Sequence, residues 1–440
     1  MTHRLALSSA LSILAVCSGA FAQPPADAKS ADAKSADPKP AESQPAQPAP
    51  AEPAAPLDWK SAEAKLLKDH VQLTFPAKFI RAGEAYFNTR GSWIVFQAIP
   101  RPDAGQKPDD HYAMYVAKVK FDADRTILGL EEPIRVSPEG SANTCGNFNP
   151  SKSWQVIFGS TLTPPKAVDT PGYQRGTRSY RWAFPAEMNV VQVSVPAVQP
   201  RMTPSGGAPG NAPPAAPPSE PVTLIQGPAY DAECAYDPSG RFIIYATQRG
   251  TDEATGRPTI GIDAYDSQKN ASTQLVTAPG YNGGPFFNAD TTMICYRSDR
   301  AGDDLLQVYV ADLDKAPDGS ILGIKNERRV TDNQHVNWGP FFHPSGDFLV
   351  YATSEVGHDN YEVFAVEVPR GANAWKKPAQ LSKKRVTHAS GFDGLPVFSS
   401  DGLWMLWTSQ RGQRLADEPK PSSQLWAARV LEIKPGETSE

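Results

Sequence analysis

Polar residues that recur at one spacing are the first candidates for chemistry in this chain. A short amide or carboxylate stands three residues ahead of the column that holds Pro340. It is occupied by Asn143, Asp231, Asn282, Asn337 and Asp393, with Ala82 breaking the series, and Glu233 adds a carboxylate beside Asp231. Gathered around one axis, such groups would grip the hydrogen-bonding groups of a ligand. Asp231, Glu233 and Asp393 with the amide oxygens of the asparagines would also suit a hard cation such as calcium. The plainer reading needs no ligand: Asn and Asp commonly bond their own backbone and shape a turn. A second series, Arg249, Arg300 and Arg411, lies four residues after a strand-ending aromatic. It would form either a basic rim for an anionic ligand or a set of loop braces, the plainer alternative. His335 and Trp338 flank Asn337, and His358-Asp359-Asn360 sits in a polar loop. The sequence holds no Gly-x-Ser-x-Gly, His-Glu-x-x-His or phosphate-binding glycine loop, so no catalytic residue is assigned.

What must position these residues is a repeated unit. Gly339-Pro340-Phe341-Phe342-His343-Pro344-Ser345-Gly346 leads into Phe348 to Ser354, and Gly284-Pro285-Phe286-Phe287 into Met293 to Ser298. Leu395-Pro396-Val397-Phe398-Ser399-Ser400-Asp401-Gly402 leads into Leu403 to Ser409. Copies at Cys234–Tyr245 and Phe148–Phe158, with a weaker one at Ala85–Phe96, make six. Each is a short strand, a tight Pro-Ser-Gly or Ser-Asp-Gly turn and an apolar β-rich strand. A third strand follows a polar loop (Leu306–Val310, Tyr361–Val366, Gln424–Arg429). A fourth ends in Val-Thr, at Gln274–Thr277 and Arg328–Thr331. The spacing of roughly 50–60 residues suits four-stranded propeller blades.

The fold expected is therefore all-β, a six-bladed β-propeller of four-stranded blades. The last blade lacks a fourth strand after Val430, while Val71-Gln72-Leu73-Thr74 carries that pattern ahead of blade one. An N-terminal strand is thus expected to close the ring and remove two open edges. The Asn/Asp column would then ring the channel mouth, with the three arginines on the same face. Phe287, Phe342, Phe398, Tyr245, Tyr296, Tyr351 and Trp407 are expected in blade cores.

The Pro-Ser-Gly and Ser-Asp-Gly turns, the aromatic-ending strands and the Ser-x-Arg of Ser409-Gln410-Arg411 and Ser298-Asp299-Arg300 resemble TolB-like propeller repeats over about Val71 to Val430. The resemblance implies architecture more than activity. The TolB family carries an α/β domain ahead of its propeller, whereas only Leu57 to His70 separates spacer from propeller here. A polar ring also resembles that of lactonase-type propellers, which implies a catalytic calcium as the rival reading.

Residues 1–22 read as an export signal, with Arg4, the apolar run Leu5–Val16 and Ala20-Phe21-Ala22 before Gln23. A lipobox at Cys17 is the less favoured alternative because Val16 fits it poorly. Residues 23–56, rich in Ala, Pro and Lys, are expected to be a disordered spacer, and 197–220 a Pro/Gly-rich insertion in a propeller spanning 57–436. Cys145, Cys234 and Cys295 have no paired spacing and are expected as buried free thiols. A net charge of −5 argues against nucleic acid, and no later run is long enough to span a membrane. The chain is thus expected to be a periplasmic or secreted monomer without a resident cofactor. Its expected role is non-enzymatic, binding a protein, peptide or glycan partner across the channel face. The alternative is a calcium-dependent lactonase-like hydrolase or lyase.

Overall fold

The hairpin that opens every blade is set by one polar residue at the end of its first strand. The Asp237 carboxylate accepts the N–H groups of Ser239 (3.1 Å) and Phe242 (2.7 Å), and Gly240 closes the turn onto the Asp237 carbonyl (2.9 Å) with φ of 74°. Asn88, Asn149, Asn288, His343 and Ser399 accept backbone N–H groups at the equivalent place in the other five blades. The β-branched and aromatic run after each turn then pairs back as the second strand.

The computed structural model describes residues 58–166, 185–199, 216–371 and 374–436, and the backbone of two short strands, Gly172–Gln174 and Ser179–Arg181. The expected export signal and spacer, and most of the 197–220 insertion, lie outside the described residues. Blade one contains Phe79–Phe87, Trp93–Pro100, Ala113–Phe121 and Ile127–Leu130. Blade two contains Asn143–Phe148, Gln155–Ser160, Asn189–Ser194 and Val222–Ile225. Blade three runs through Asp231–Tyr236, Phe242–Thr251, Pro258–Asp266 and Ala271–Val276. Blade four follows with Asn282–Phe287, Met293–Ser298, Gln307–Lys315 and Ile321–Arg329. Blade five is Asn337–Phe342, Phe348–Thr353, Glu362–Glu367 and Lys383–Arg385. Asp393–Phe398, Trp404–Ser409 and Gln424–Val430 begin blade six. Buried side chains of adjacent blades pack face to face: Ile244 and Ile262 of blade three meet Ile294 and Tyr296 of blade four.

Blade six is completed by strand β1 (Leu67–Gln72), antiparallel to Gln424–Val430, with Leu67 opposite Val430 and Gln72 opposite Trp426. Two more bonds extend the seam: Leu73 N–H to the Leu425 carbonyl (2.8 Å), and Leu425 N–H to Thr74 Oγ1 (2.8 Å). The N-terminal closure expected from Val71–Thr74 is present, and its strand begins four residues earlier, at Leu67. A short helix α1 (Trp59–Glu63), capped by Asp58, precedes it and buries Glu63 completely. Arg411 donates to both Glu63 oxygens (2.9 and 3.1 Å) and to Asp393 (2.8 Å), stacked against Trp59 and Trp407 at 4.4 and 4.9 Å. His70 and the His388 N–H complete the shell around Glu63. Burial alone would raise the Glu63 carboxyl, but His70 and Arg411 outweigh it and hold its pKa below the ordinary glutamate value.

Candidate functional site

The Asn/Asp column lies at the start of each first strand, and its side chains are engaged at joints within and between blades. Asn143 donates to the Tyr112 carbonyl of blade one (2.8 Å), and Asn282 to the Ile260 carbonyl of blade three (2.9 Å). Asn337 donates to Gln307 Oε1 of blade four (3.1 Å) and accepts from Thr353 (2.8 Å) within its own blade. Asp231 accepts the Gly227 N–H, and Asp393 accepts Trp407 Nε1 (3.1 Å) as well as Arg411. All five are buried. Among the described residues, no group of three or more His, Cys, Asp or Glu is placed to hold a metal ion.

The three arginines are likewise occupied. Arg249 pairs with Asp263, Arg300 with Glu327 (2.7 Å), and Arg411 with Glu63 and Asp393. Their positive charges are compensated within the fold and present no open rim for an anion.

Two residues beyond the Asn/Asp column, every blade carries a residue with positive φ: Glu84, Cys145, Glu233, Gly284, Gly339 and Leu395, between 48° and 60°. The pairing of first and second strands slips at each of these points, a bulge repeated six times around the axis. Only Gly is at ease there. The four other side chains are held in a conformation that costs about 1–2 kcal/mol each, and such strain directs attention to what those side chains do. All six residues line the channel.

Glu233 is the hub of the channel floor. It pairs with Arg297 (2.9 Å) and accepts from Tyr281 Oη (2.8 Å), Tyr230 Oη (3.1 Å) and the Gly284 N–H (2.6 Å). Across the axis, Glu84 Oε1 accepts from Cys145 Sγ (2.8 Å) and Tyr86 Oη (3.2 Å). Burial pushes the Glu84 carboxyl above its usual range, with the Glu233 charge adding to this and Cys145, Arg297 and Tyr86 opposing it. The Cys145 thiol is pushed far up by burial and then by Glu84, which removes it from consideration as a nucleophile. Cys145, Cys234 and Cys295 are all buried free thiols, as the spacing implied. Beneath, Tyr86, Phe286 and Phe341 meet at 5.0–5.5 Å and leave a space of about 10 Å³, too small for more than one water.

Above this plug the channel opens into a blind cup of about 390 Å³. Blade one supplies Glu84 at its base with Gln97 and Tyr112; blade five supplies Trp338, His358, Asp359 and Tyr361. Blade six supplies Phe392, Thr408, Gln410 and Lys420. Trp338, Tyr361 and Phe392 form an aromatic wall with ring centroids 5.8–6.4 Å apart. The cup thus brings together Trp338 and His358-Asp359, which the sequence singled out, while the Asn/Asp column stays at the blade joints. Glu84, Gln97, Tyr112 and Phe392 were not recognised from the sequence. The signal for Glu84 was present, since it occupies the same repeat position as Glu233.

No protein-family model and no curated protein matches the chain. Solved structures similar to it include TolB. The TolB of Acinetobacter baumannii is 13% identical with a TM-score of 0.44, over 79% of this chain and 66% of that one. A TolB of Agrobacterium tumefaciens gives 13% and 0.43, over 79% and 90%. Oligogalacturonate lyase from Vibrio parahaemolyticus gives 11% and 0.41, over 83% and 94%. The assignment of six four-stranded blades rests on the strand order described above.

Proposed function

We propose that this chain is an exported propeller of the periplasm or cell envelope that binds a protein, peptide or glycan without transforming it. The observation that supports this is the blind cup at the channel mouth. It is a concave site with an aromatic wall and a few convergent polar groups, the usual make-up of a ligand pocket, and its volume falls in the usual range of roughly 300–1,000 Å³. The rival reading, a calcium-dependent hydrolase or lyase, would require the Asn/Asp column to converge on a cation, whereas its oxygens accept hydrogen bonds from protein groups, Ser298 on Asn282, Thr353 on Asn337, and Trp407 and Arg411 on Asp393. Among the described residues no helix is long and apolar enough to cross a membrane.

Peptide and glycan arrays probed with the purified chain test the reading. Bound features that disappear with Trp338→Ala, at an unchanged melting temperature, are the expected result. Arrays whose features are indifferent to Trp338, or a bound feature that the protein converts to product, would overturn it.

A further inference from the structure

We propose that the cup selects a cationic group, an ammonium or a guanidinium carried by its ligand, with Glu84 as the counter-ion. This rests on the reading of the cup as the binding site and names the chemistry of what it takes. Three observations converge.

Glu84 lies at the base of the cup, and both hydrogen bonds to its carboxyl group end on Oε1. Among the described residues, none bonds Oε2 and no Lys, Arg or His lies at ion-pair distance. Arg297, the buried cation whose charge bears on Glu84, is committed to Glu233 and to Tyr281 Oη (2.7 Å). The base of the cup therefore holds a carboxyl group with no cation of its own. Next, Gln97 Oε1 is buried on the cup lining without a hydrogen-bond partner among the described residues, so a second acceptor waits for a donor-rich ligand. Third, Trp338, Tyr361 and Phe392 supply an aromatic wall whose Trp338 ring already holds a cation, the Arg297 guanidinium at 5.9 Å from its centroid. The Tyr112 ring is already taken, with the Arg81 guanidinium over it at 5.7 Å. A neutral sugar would meet the aromatic wall and Gln97, but only a cation gains from an ionised Glu84 carboxylate.

The assignment carries a pH dependence. Groups that bear on Glu84 are Tyr86 of its own strand, Tyr112, Cys145 of blade two, Glu233 of blade three and Arg297 of blade four; His358, Asp359 and Lys420 share the cup with it. Because burial favours the protonated Glu84 carboxyl in the free protein, an arriving cation has to draw the proton off. Binding therefore releases a proton and tightens as pH rises above the ordinary glutamate value.

Titration calorimetry with acetyl-arginine amide, acetyl-citrulline amide and cellobiose tests this, since citrulline is the neutral isostere of arginine. The arginine probe should bind about tenfold more tightly than the citrulline probe, as a charge-assisted contact implies. Its affinity should rise as pH climbs above the ordinary glutamate value, with proton release read from buffers of different ionisation heat. Glu84→Gln should remove the preference and the pH dependence together, and Trp338→Leu should weaken the arginine probe several-fold. Equal affinity for the two amides, or a preference that survives in Glu84→Gln, overturns the cation assignment. Cellobiose binding that requires Trp338, without arginine binding, overturns it too while leaving the cup a binding site. Indifference of all three probes, with array binding that ignores Trp338, brings down both.

Discussion

Arg411→Met should loosen the closure of the ring. The arginine side chain has no exposed surface, and neither of its partners is accessible: Glu63 is 0% exposed and Asp393 1%. Substitution leaves two carboxylates buried without their cation, and breaking such a pair costs about 3–5 kcal/mol. Unfolding entropy near ~2.1 cal/mol/K per residue, over a ring of roughly 360 residues, converts this to a melting temperature lowered by about 4–7 °C. The sign of the pH effect is fixed by Glu63. Its folded pKa lies below the ordinary value, so its contribution is present above that value and is lost as pH falls through the folded one. The deficit of the variant should therefore shrink as pH falls toward and below the ordinary glutamate value, because protonation of Glu63 removes the unpaired charge. Adding Glu63→Gln to Arg411→Met should recover part of the loss. Differential scanning calorimetry across that pH range is the assay. A single variant melting within about 1 °C of the parent, or a deficit that does not change with pH, refutes the claim that this network seals α1 and β1 to the ring.

Three further outcomes are expected. A chain starting at Lys78 loses β1, and the lost burial of Leu67 and Leu73 alone is worth about 3–6 kcal/mol; a full melting temperature in that truncation would contradict ring closure. In Gly284→Ala the added methyl would collide with the Arg297 guanidinium at a φ of 57°. Displacing Arg297 from Glu233 should lower stability by about 3–5 kcal/mol in urea unfolding, and a loss under ~1 kcal/mol would mean that Arg297 moves freely. The Glu362 carboxyl is pushed up to about 8 by burial and by the charge of Asp393, against Thr387 and Arg385. A raised pKa gives stability that is full below the ordinary value and lost as pH rises through the folded one. Glu362→Gln should accordingly flatten the fall in melting temperature between about pH 5 and 8, and an unchanged slope would exclude this group as its source.

Much of the architecture was legible because repetition multiplies weak signals. One Pro-Ser-Gly turn says little, but six polar residues at the same place, from Asn88 to Ser399, each closing a hairpin, leave few alternatives. The missing fourth strand after Val430 could be read for the same reason. The candidate site was harder. The Asn/Asp column is the most conspicuous polar pattern in the repeats, yet its regularity comes from the joints it makes, which recur wherever blades meet. Chemistry in a propeller lies where the repeats differ. Glu84, Cys145, Glu233, Gly284, Gly339 and Leu395 share one backbone conformation and four different side-chain chemistries, and only the folded channel shows which of them face each other. The cup adds residues from loops, such as Tyr112 and Phe392, whose lengths vary between blades and which no repeat alignment brings into register.

The seam in blade six also dictates an order of assembly. Its partners are separated by more than three hundred positions in the chain, since Leu67 pairs with Val430 and Glu63 with Arg411. Contacts so distant along the chain carry the largest loop-closure cost and form slowly. Until Gln424–Val430 is made, β1 has no strand to join, and blades one to five exist with an incomplete rim on either side. Those rims are the surfaces on which another copy of the chain could pair. The forty residues 391–430 thus act as a commitment step, converting an association-prone arc into a closed ring and completing the cup wall at Phe392 and Gln410 in the same event.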